Sequence, residues 1–214
     1  MRSYDQYCGL ARALDVVGDR WTLLIVRELL VAPRRYGALL ADLPGIATNL
    51  LADRLRHLEA AGVLQRTGTG PTTRYALTAR GRELEPAVLA LASWGGPTLV
   101  DRGPTDTFRP HWLVLGLRAL LGAAADPRLT VTVDLEVEGG TVHVAADHGR
   151  VATGPGAADP VADVVLAGDA PTVLGVVAGL VPFDDLAVGR GPARAVRRAR
   201  RLLAPAAPRL PVDT

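Results

Sequence analysis

Residues 45–66 read GIATNLLADRLRHLEAAGVLQR, and the reading of this stretch decides the fold. Leu51, Leu55 and Leu58 recur at the three- and four-residue spacing of one helix face. Asn49, Asp53 and Arg56 take the opposite side, with Arg54 and His57 near its edge. Pro44-Gly45 interrupts the chain ahead of the helix, and Gly62 stands where a C-terminal cap glycine belongs. Such a helix buries one face in its own domain and keeps Asn and Arg on the other. Asn pairs bidentately with adenine and Arg with guanine, so Asn49 and Arg56 carry the chemistry of major-groove reading. Arg54, bordering the apolar face, is expected to aim at phosphate. The alternative is a surface helix whose charges are merely solvated.

The flanking sequence bears on that choice. Downstream, VLQRTG (63–68) and TRYALT (73–78) alternate apolar and polar residues as two strands do, and TGTGPT between them is a hairpin tip. Arg66 and Arg74 flank that tip, where they can grip phosphate or enter the minor groove, and Gly68 and Gly70 let it turn tightly. TARGRELEPAVLALASWG (78–95) predicts one helix capped by Thr78, with Leu84, Val88, Leu91 and Ala92 apolar. Upstream, CGLARALDVV (8–17) has Leu10, Ala13, Leu14 and Val17 at helical spacing. Asp19 caps a second helix, RWTLLIVRELLVA, which Pro33 stops, and RYGALLADL (35–43) is a third. Three helices, a fourth after a tight turn, a hairpin and a closing helix make the order of a winged helix-turn-helix domain.

The pieces ARALDVVGDRW behind Cys8, LLIVRELL, PRRYGALLADLPGI, LADRLRHLEAAGVL and YALTARG closely resemble the HxlR family of winged-helix transcription regulators. The resemblance covers residues 1–95. The family is similar to MarR regulators and acts as homodimers on palindromic operators, so the resemblance implies the fold, a dimer and binding to double-stranded DNA. Residue by residue it implies that Thr48, Asn49, Asp53 and Arg54 form the front of the recognition helix and that Arg66 and Arg74 belong to the wing. Arg34 and Arg35, ahead of the third helix, are counted with the DNA-binding residues. One departure stands at the helix start. Many members have Ser, then Pro or Gln, then Lys there, whereas this chain has Ala47, Thr48 and Asn49. Thr48 is expected to take over the capping role, and the operator sequence is left open.

In several members the cysteine matching Cys8 senses oxidants or electrophiles. Cys8 is the only cysteine, so no intrachain disulfide can form, and a Cys8–Cys8′ bridge or a capped thiol are the options. A helix N-terminus and Arg12 one turn on would favour the thiolate. The other reading, preferred on the residues alone, is a small buried anchor for the first helix.

All 24 basic residues are Arg. Residues 1–103 hold 13 Arg against 10 acids, residues 104–189 hold 4 against 11, and residues 190–214 hold 7 against 1. A mildly basic first part suits a polyanion, and an acidic middle does not. LLIVRELLVA is too short to span a membrane and carries Arg27 and Glu28, and the N-terminus has no apolar secretion core. The expectation is a cytoplasmic protein, nucleoid-associated when bound to DNA, with no membrane partner.

SWGGPTLVDRGPTDTFRPH marks a boundary, with a linker at 96–107, a second domain at 108–204 and a tail at 205–214. WLVLGLRALLGAAA predicts a helix. Val131, Val133, Leu135 and Val137, a Gly-Gly turn, then Val142, Val144 and Ala146 predict two strands. VAT, ADVVLAGD and LAVGRG add strands, APTVLGVVAGLV a helix with Pro171 in its first turn, and PARAVRRARRLLAP a last helix. The fold class is α+β, with helices on an antiparallel sheet. VTVDLEVEGGTVHVAADHGRV, DVVLAGDAPTVLGVVAGL and DDLAVGRGPARAVRRARRLL resemble a sterol-carrier-protein-type domain over residues 108–204. The resemblance implies an apolar small-molecule effector, with Phe108, Trp112, Leu115, Val177, Leu180 and Phe183 as candidate lining residues. The alternative is that these residues are plain core. The last helix sets Arg194, Arg197, Arg198, Arg200 and Arg201 on a broad face that is either solvated or turned to DNA or to the acidic middle of the chain.

His143, Asp147 and His148 span a turn without a second cluster, so no metal site is assigned, and no cofactor signature occurs. No nucleophile–base or paired-carboxylate set stands out, and no enzyme activity is expected. The reading that results is a homodimeric regulator, a repressor rather than an activator, on an inverted-repeat operator. Its competitor is a lipid-carrier or scaffold protein whose helix-turn-helix serves assembly.

Overall fold

The computed structural model describes residues 3–100, 103, 105–122 and 125–204; of Val100 only the backbone is described. The predicted tail, 205–214, lies outside the described residues, as does part of the expected linker. The chain divides into two compact units, Met1–Val88 and Leu89–Thr214.

The first unit holds α1 (Gly9–Val17), α2 (Thr22–Val31), α3 (Tyr36–Asp42), α4 (Thr48–Ala60), β1 (Leu64–Thr67), β2 (Arg74–Leu77) and α5 (Ala79–Arg82). Helix α6 (Glu85–Gly95) crosses the boundary between the units. Its core is the stripe read from the sequence. Leu51, Leu55 and Leu58 of α4, Ile25, Val26 and Leu29 of α2 and Leu39 of α3 are all 2% exposed or less. Helix α4 closes on Gly62, which takes φ +70, so that the Val63 amide reaches back to Leu58 O at 2.9 Å. β1 and β2 pair antiparallel with Arg66 opposite Tyr75 and Thr67 opposite Arg74.

Several features depart from the sequence reading, among them the start of α2, where Trp21 and not Asp19 is the N-cap residue. Arg34 exchanges backbone hydrogen bonds with Tyr75 (3.0 and 2.7 Å), adding a one-residue third rung to the hairpin. The helix expected over 78–95 is two helices, because Pro86 has no N–H for the Arg82 carbonyl and the chain turns at Glu83 and Leu84. Of the apolar stripe of α1 only Val17 is buried: Leu10 and Leu14 are 69% and 37% exposed and Ala13 is exposed, while Ala11, outside the stripe, is buried.

The second unit holds α7 (Leu113–Leu121), β3 (Val131–Val137), β4 (Gly140–Asp147), β5 (Arg150–Pro155), β6 (Val164–Ala167), α8 (Ala170–Ala178), β7 (Ala187–Arg190) and α9 (Ala193–Leu203). The five strands run in the order β5-β4-β3-β6-β7. The class is α+β as expected, but the sheet is mixed rather than antiparallel. β6 lies parallel to β3, with Val133 opposite Val164. Residues 156–163 carry the chain from the β5 edge across to the far side of β3, so β6 enters in the direction of β3. Two carboxylates secure this crossover. Buried Asp134 accepts from the Ala158 amide at 2.9 Å, and Asp163 accepts from the Thr132 amide at 2.8 Å. α7 is bolted to β5 through Arg118, which donates to Thr153 Oγ1, and through Thr153 Oγ1 donating to Val114 O at 3.2 Å. Asp169 caps α8 by accepting from the Thr172 amide at 2.8 Å.

Candidate nucleic-acid interface

On α4, Thr48, Asn49, Asp53 and Arg56 are all exposed, and the last three follow at four- and three-residue intervals along one side. The residues of the opposite side fill the core, so this stripe cannot turn inward without unpacking Leu51, Leu55 and Leu58. Arg56 donates to Asp53 along the stripe, both side chains remaining more than half exposed.

Thr48 does not cap the helix as expected. Ala47 is the N-cap residue, no side chain caps the helix start, and Thr48 is the first helical residue. The turn is held from outside instead, by Tyr36 Oη donating to Thr48 O at 2.7 Å. Asn49 Oδ1 accepts from the Leu50 amide at 2.9 Å, which leaves its NH2 group directed elsewhere.

Two of the expected DNA-binding arginines, Arg54 and Arg34, are folded back onto carboxylates. The Arg54 side chain is only 18% exposed and its Nε lies 3.7 Å from Asp19 Oδ2. Asp19 also accepts from the Trp21 amide at 2.9 Å, so Arg54 joins α4 to the turn before α2. The Arg34 side chain is 22% exposed, with Nη1 4.0 Å from Asp42. Their positions on the sequence, at the edge of an apolar stripe and just ahead of the third helix, did not separate an outward guanidinium from one folded back onto a carboxylate. Arg35 is exposed.

On the wing, Arg66 and Arg74 are exposed at either side of the hairpin. Arg66 Nε donates to Glu59 Oε1 of α4 at 3.0 Å, and this hydrogen bond, with the charge of Glu59, raises the arginine's pKa further. It ties the base of the wing to the recognition helix. The tip carries a short 3₁₀ turn, Gly70–Thr72, in which Thr69 and Thr72 cap each other reciprocally. A sequence reading of the tip as a bare turn missed this; the T-x-x-T spacing is its trace.

Cys8 is exposed, not the buried anchor preferred on the residues alone. It is the N-cap residue of α1, and the backbone N–H groups of Ala11 and then Leu10 hold its thiol below the usual cysteine pKa. Arg12, expected to assist, pairs with Asp15 at 3.7 Å.

In the second unit Leu115, Val177 and Phe183 are 3%, 0% and 4% exposed, while Phe108 and Trp112 are half-buried. Leu180 is 44% exposed beyond the end of α8 and leaves the lining set, because the helix stops at Gly179 in the left-handed conformation and the chain turns outward. His143 Nδ1 lies 3.1 Å from Gly156 O, and His148 Nδ1 lies 2.7 Å from Asp147, so the two histidines have separate partners.

The model for HxlR-like helix-turn-helix proteins matches residues 16–102. A helix-turn-helix-type transcriptional regulator of Synechocystis sp. is 39% identical over 95 residues, which are 43% of this chain and 70% of that protein. One of Mycobacterium tuberculosis is 39% identical over 128 residues, 58% of this chain and 75% of that protein. Among solved structures, the redox regulator HypR in its oxidised form aligns with 45% of this chain and 99% of its own, at 30% identity and a TM-score of 0.41. The Synechocystis and Mycobacterium relatives are named as transcriptional regulators, a non-enzymatic family. No helix among the described residues is long and apolar enough to cross a membrane. The sequence matches, together with a covered α4 stripe backing an exposed polar one, make this chain a member of the HxlR-like helix-turn-helix family of transcriptional regulators.

Proposed function

We propose that this regulator is a homodimer that reads an inverted-repeat operator in double-stranded DNA and acts as a repressor. One observation carries the reading. Asn49 and Arg56 stand on the exposed side of a helix whose other side is locked in the core, beside a wing with Arg66 and Arg74 exposed. Asn49 reads adenine and Arg56 guanine, while Thr48, Arg35, Arg66 and Arg74 hold the phosphates. Arg54 and Arg34 position these elements. Dimer formation is supported by apolar side chains left uncovered on α1 (Leu10, Leu14) and on α6 (Leu91 and Trp94, 51% and 83% exposed). Half-sites about one helical turn, ~10 bp, apart follow from two-fold symmetry.

Selection of fragmented genomic DNA on the purified protein, followed by sequencing, tests this reading, and enrichment of an inverted repeat is the expected result. On the enriched site Asn49→Ala is expected to relax sequence preference at one position per half-site, costing about 1–3 kcal/mol there. Arg74→Ala should weaken all sequences alike and lower the salt slope by about 1. Equal, sequence-blind losses from both variants would remove the assignment of reader and clamp. An apolar effector held by Phe108, Trp112, Leu115, Val177 and Phe183 is the proposed input, and by linkage effector and operator weaken each other.

A second reading is favoured by the exposure of Cys8 at a helix start: an electrophile attacked by its thiolate releases the operator. Because the pKa is lowered, the thiolate fraction near neutral pH exceeds that of free cysteine. Alkylation by iodoacetamide, which forms an S–C bond and expels iodide, should therefore reach half its maximal rate at a lower pH than in an unfolded control. Coincident profiles for folded and unfolded chains would dismiss the reading, as would an unchanged oxidant response of DNA binding in Cys8→Ser.

A further inference from the structure

Residues 190–204 contain six Arg and no acid, within a unit whose preceding stretch, 104–189, has 4 Arg against 11 acids. The structure divides these arginines into two groups. Arg200 donates to Asp184 through two nitrogens and lies over the Phe183 ring at 4.7 Å. Arg201 donates to Asp126 at 2.8 Å, and Arg198 to Thr130 O at 3.4 Å. These three tie α9 to its own unit. Arg194 and Arg197 follow each other at a three-residue interval along the outer side of α9, and Arg190 ends β7 just before it; all three are exposed. None of the three side chains has a hydrogen bond or ion pair with another described residue.

Solvation alone does not account for this crest. Like charges one helical turn apart repel and destabilise the helix. An acid-rich unit had carboxylates available to offset them and spent Asp184 and Asp126 on the neighbouring arginines. The other usual tasks of a basic amphipathic helix are closed to α9. Its apolar side, Ala195, Ala199, Leu202 and Leu203, is 4%, 0%, 4% and 0% exposed, so nothing is left to enter a lipid surface or to meet a partner helix.

We propose that the α9 crest, Arg194 and Arg197 with Arg190, is a second contact surface for duplex DNA, holding phosphates additional to those of α4 and the wing. The rise between Arg194 and Arg197 is about 4.5 Å, which lets two long side chains reach neighbouring phosphates of one strand. The contact is to the backbone and adds affinity without sequence preference. The proposal rests on the reading of the first unit as DNA-binding.

The test uses the full chain and a mixed-sequence DNA duplex, with the association constant measured over a salt series. R194Q/R197Q is expected to make the log–log salt slope shallower by about 2, and R194K/R197K, which keeps both charges, to retain the wild-type slope. A steep wild-type slope left unchanged by R194Q/R197Q would overturn the crest and spare the parent reading. Absence of salt-dependent binding by the wild type would overturn the parent reading and the crest with it. Equal loss in the Gln and Lys pairs would overturn the electrostatic role. So would an unchanged DNA slope accompanied by loss of cosedimentation with phosphatidylserine vesicles, which would assign the crest to a lipid surface.

Discussion

Replacing Gly81 by alanine is expected to cost about 3 kcal/mol or more and to remove DNA binding with it. A Cβ at this position would stand 2.0 Å from the Val63 carbonyl oxygen and 3.1 Å from Leu77 Cδ2. The first obstacle is backbone, so no rotamer change relieves it. The surroundings are also tied together. Thr78 Oγ1 donates to Gly62 O at 2.6 Å and accepts from the Gly81 amide at 3.1 Å, while the Thr78 amide donates to Val63 O at 3.0 Å. The end of α4, the start of β1 and the first turn of α5 therefore meet at one point. To admit the methyl group, α5 must lift away, and β2 and the wing move with it. Thermal unfolding followed by circular dichroism should show the midpoint falling by on the order of 10 °C or more. An unshifted midpoint would mean that α5 is not anchored on Val63 and that the wing is positioned by β1–β2 pairing alone.

The first unit was largely legible because its elements obey local rules. The Leu51, Leu55, Leu58 stripe, the Gly62 terminator and the Thr78 cap each act within a few residues, and each occurs as read. What escaped was decided at longer range. The Arg34 rung requires a partner 41 positions away, and nothing in a single residue announces it. The exposure of Leu10 and Leu14 escaped for the opposite reason, since a helical stripe states that a face is apolar without stating what covers it. Cys8 shows the same limit, because burial of a small residue is a tertiary property.

In the second unit the strands followed from alternation, and Val131 to Val137 all pair with β4; the expected Gly-Gly turn is instead Glu138-Gly139, with φ +45 and +81, and Gly140 already stands in β4 opposite Val137. The parallel placement of β6 did not follow, because VVLA reads alike in either direction. The direction is set by the crossover at 156–163 and by Asp134 and Asp163, whose carboxylates looked like ordinary strand-edge charges. The arginines of α9 were readable as a basic face. Their division into paired flanks and a crest without side-chain partners among the described residues depends on Asp184 and Asp126, which lie 16 and 75 residues away from their partners.

Arg54 is the residue for which sequence and structure give opposed expectations, and its substitution separates them. As a phosphate clamp, Arg54→Ala would leave stability unchanged and lower the salt slope of DNA binding by about 1. As a brace between α4 and the α1–α2 turn, it should destabilise the first unit and leave the slope intact. The geometry favours the brace, with 18% exposure for Arg54, 23% for Asp19 and 3.7 Å between them. Breaking a fully buried pair costs about 3–5 kcal/mol, and the remaining exposure discounts this to about 2 kcal/mol. Asp19→Ala should cost a similar amount, because it also removes the acceptor for the Trp21 amide. The two losses should not add, and a double-mutant cycle is expected to return a coupling of about 1 kcal/mol or more. Affinity for DNA would still fall in both variants, since the brace sets the angle at which Asn49 and Arg56 are presented, yet it would fall equally at low and high salt. A stable Arg54→Ala protein with a shallower slope would return Arg54 to the phosphates and leave α4 braced by its leucines alone.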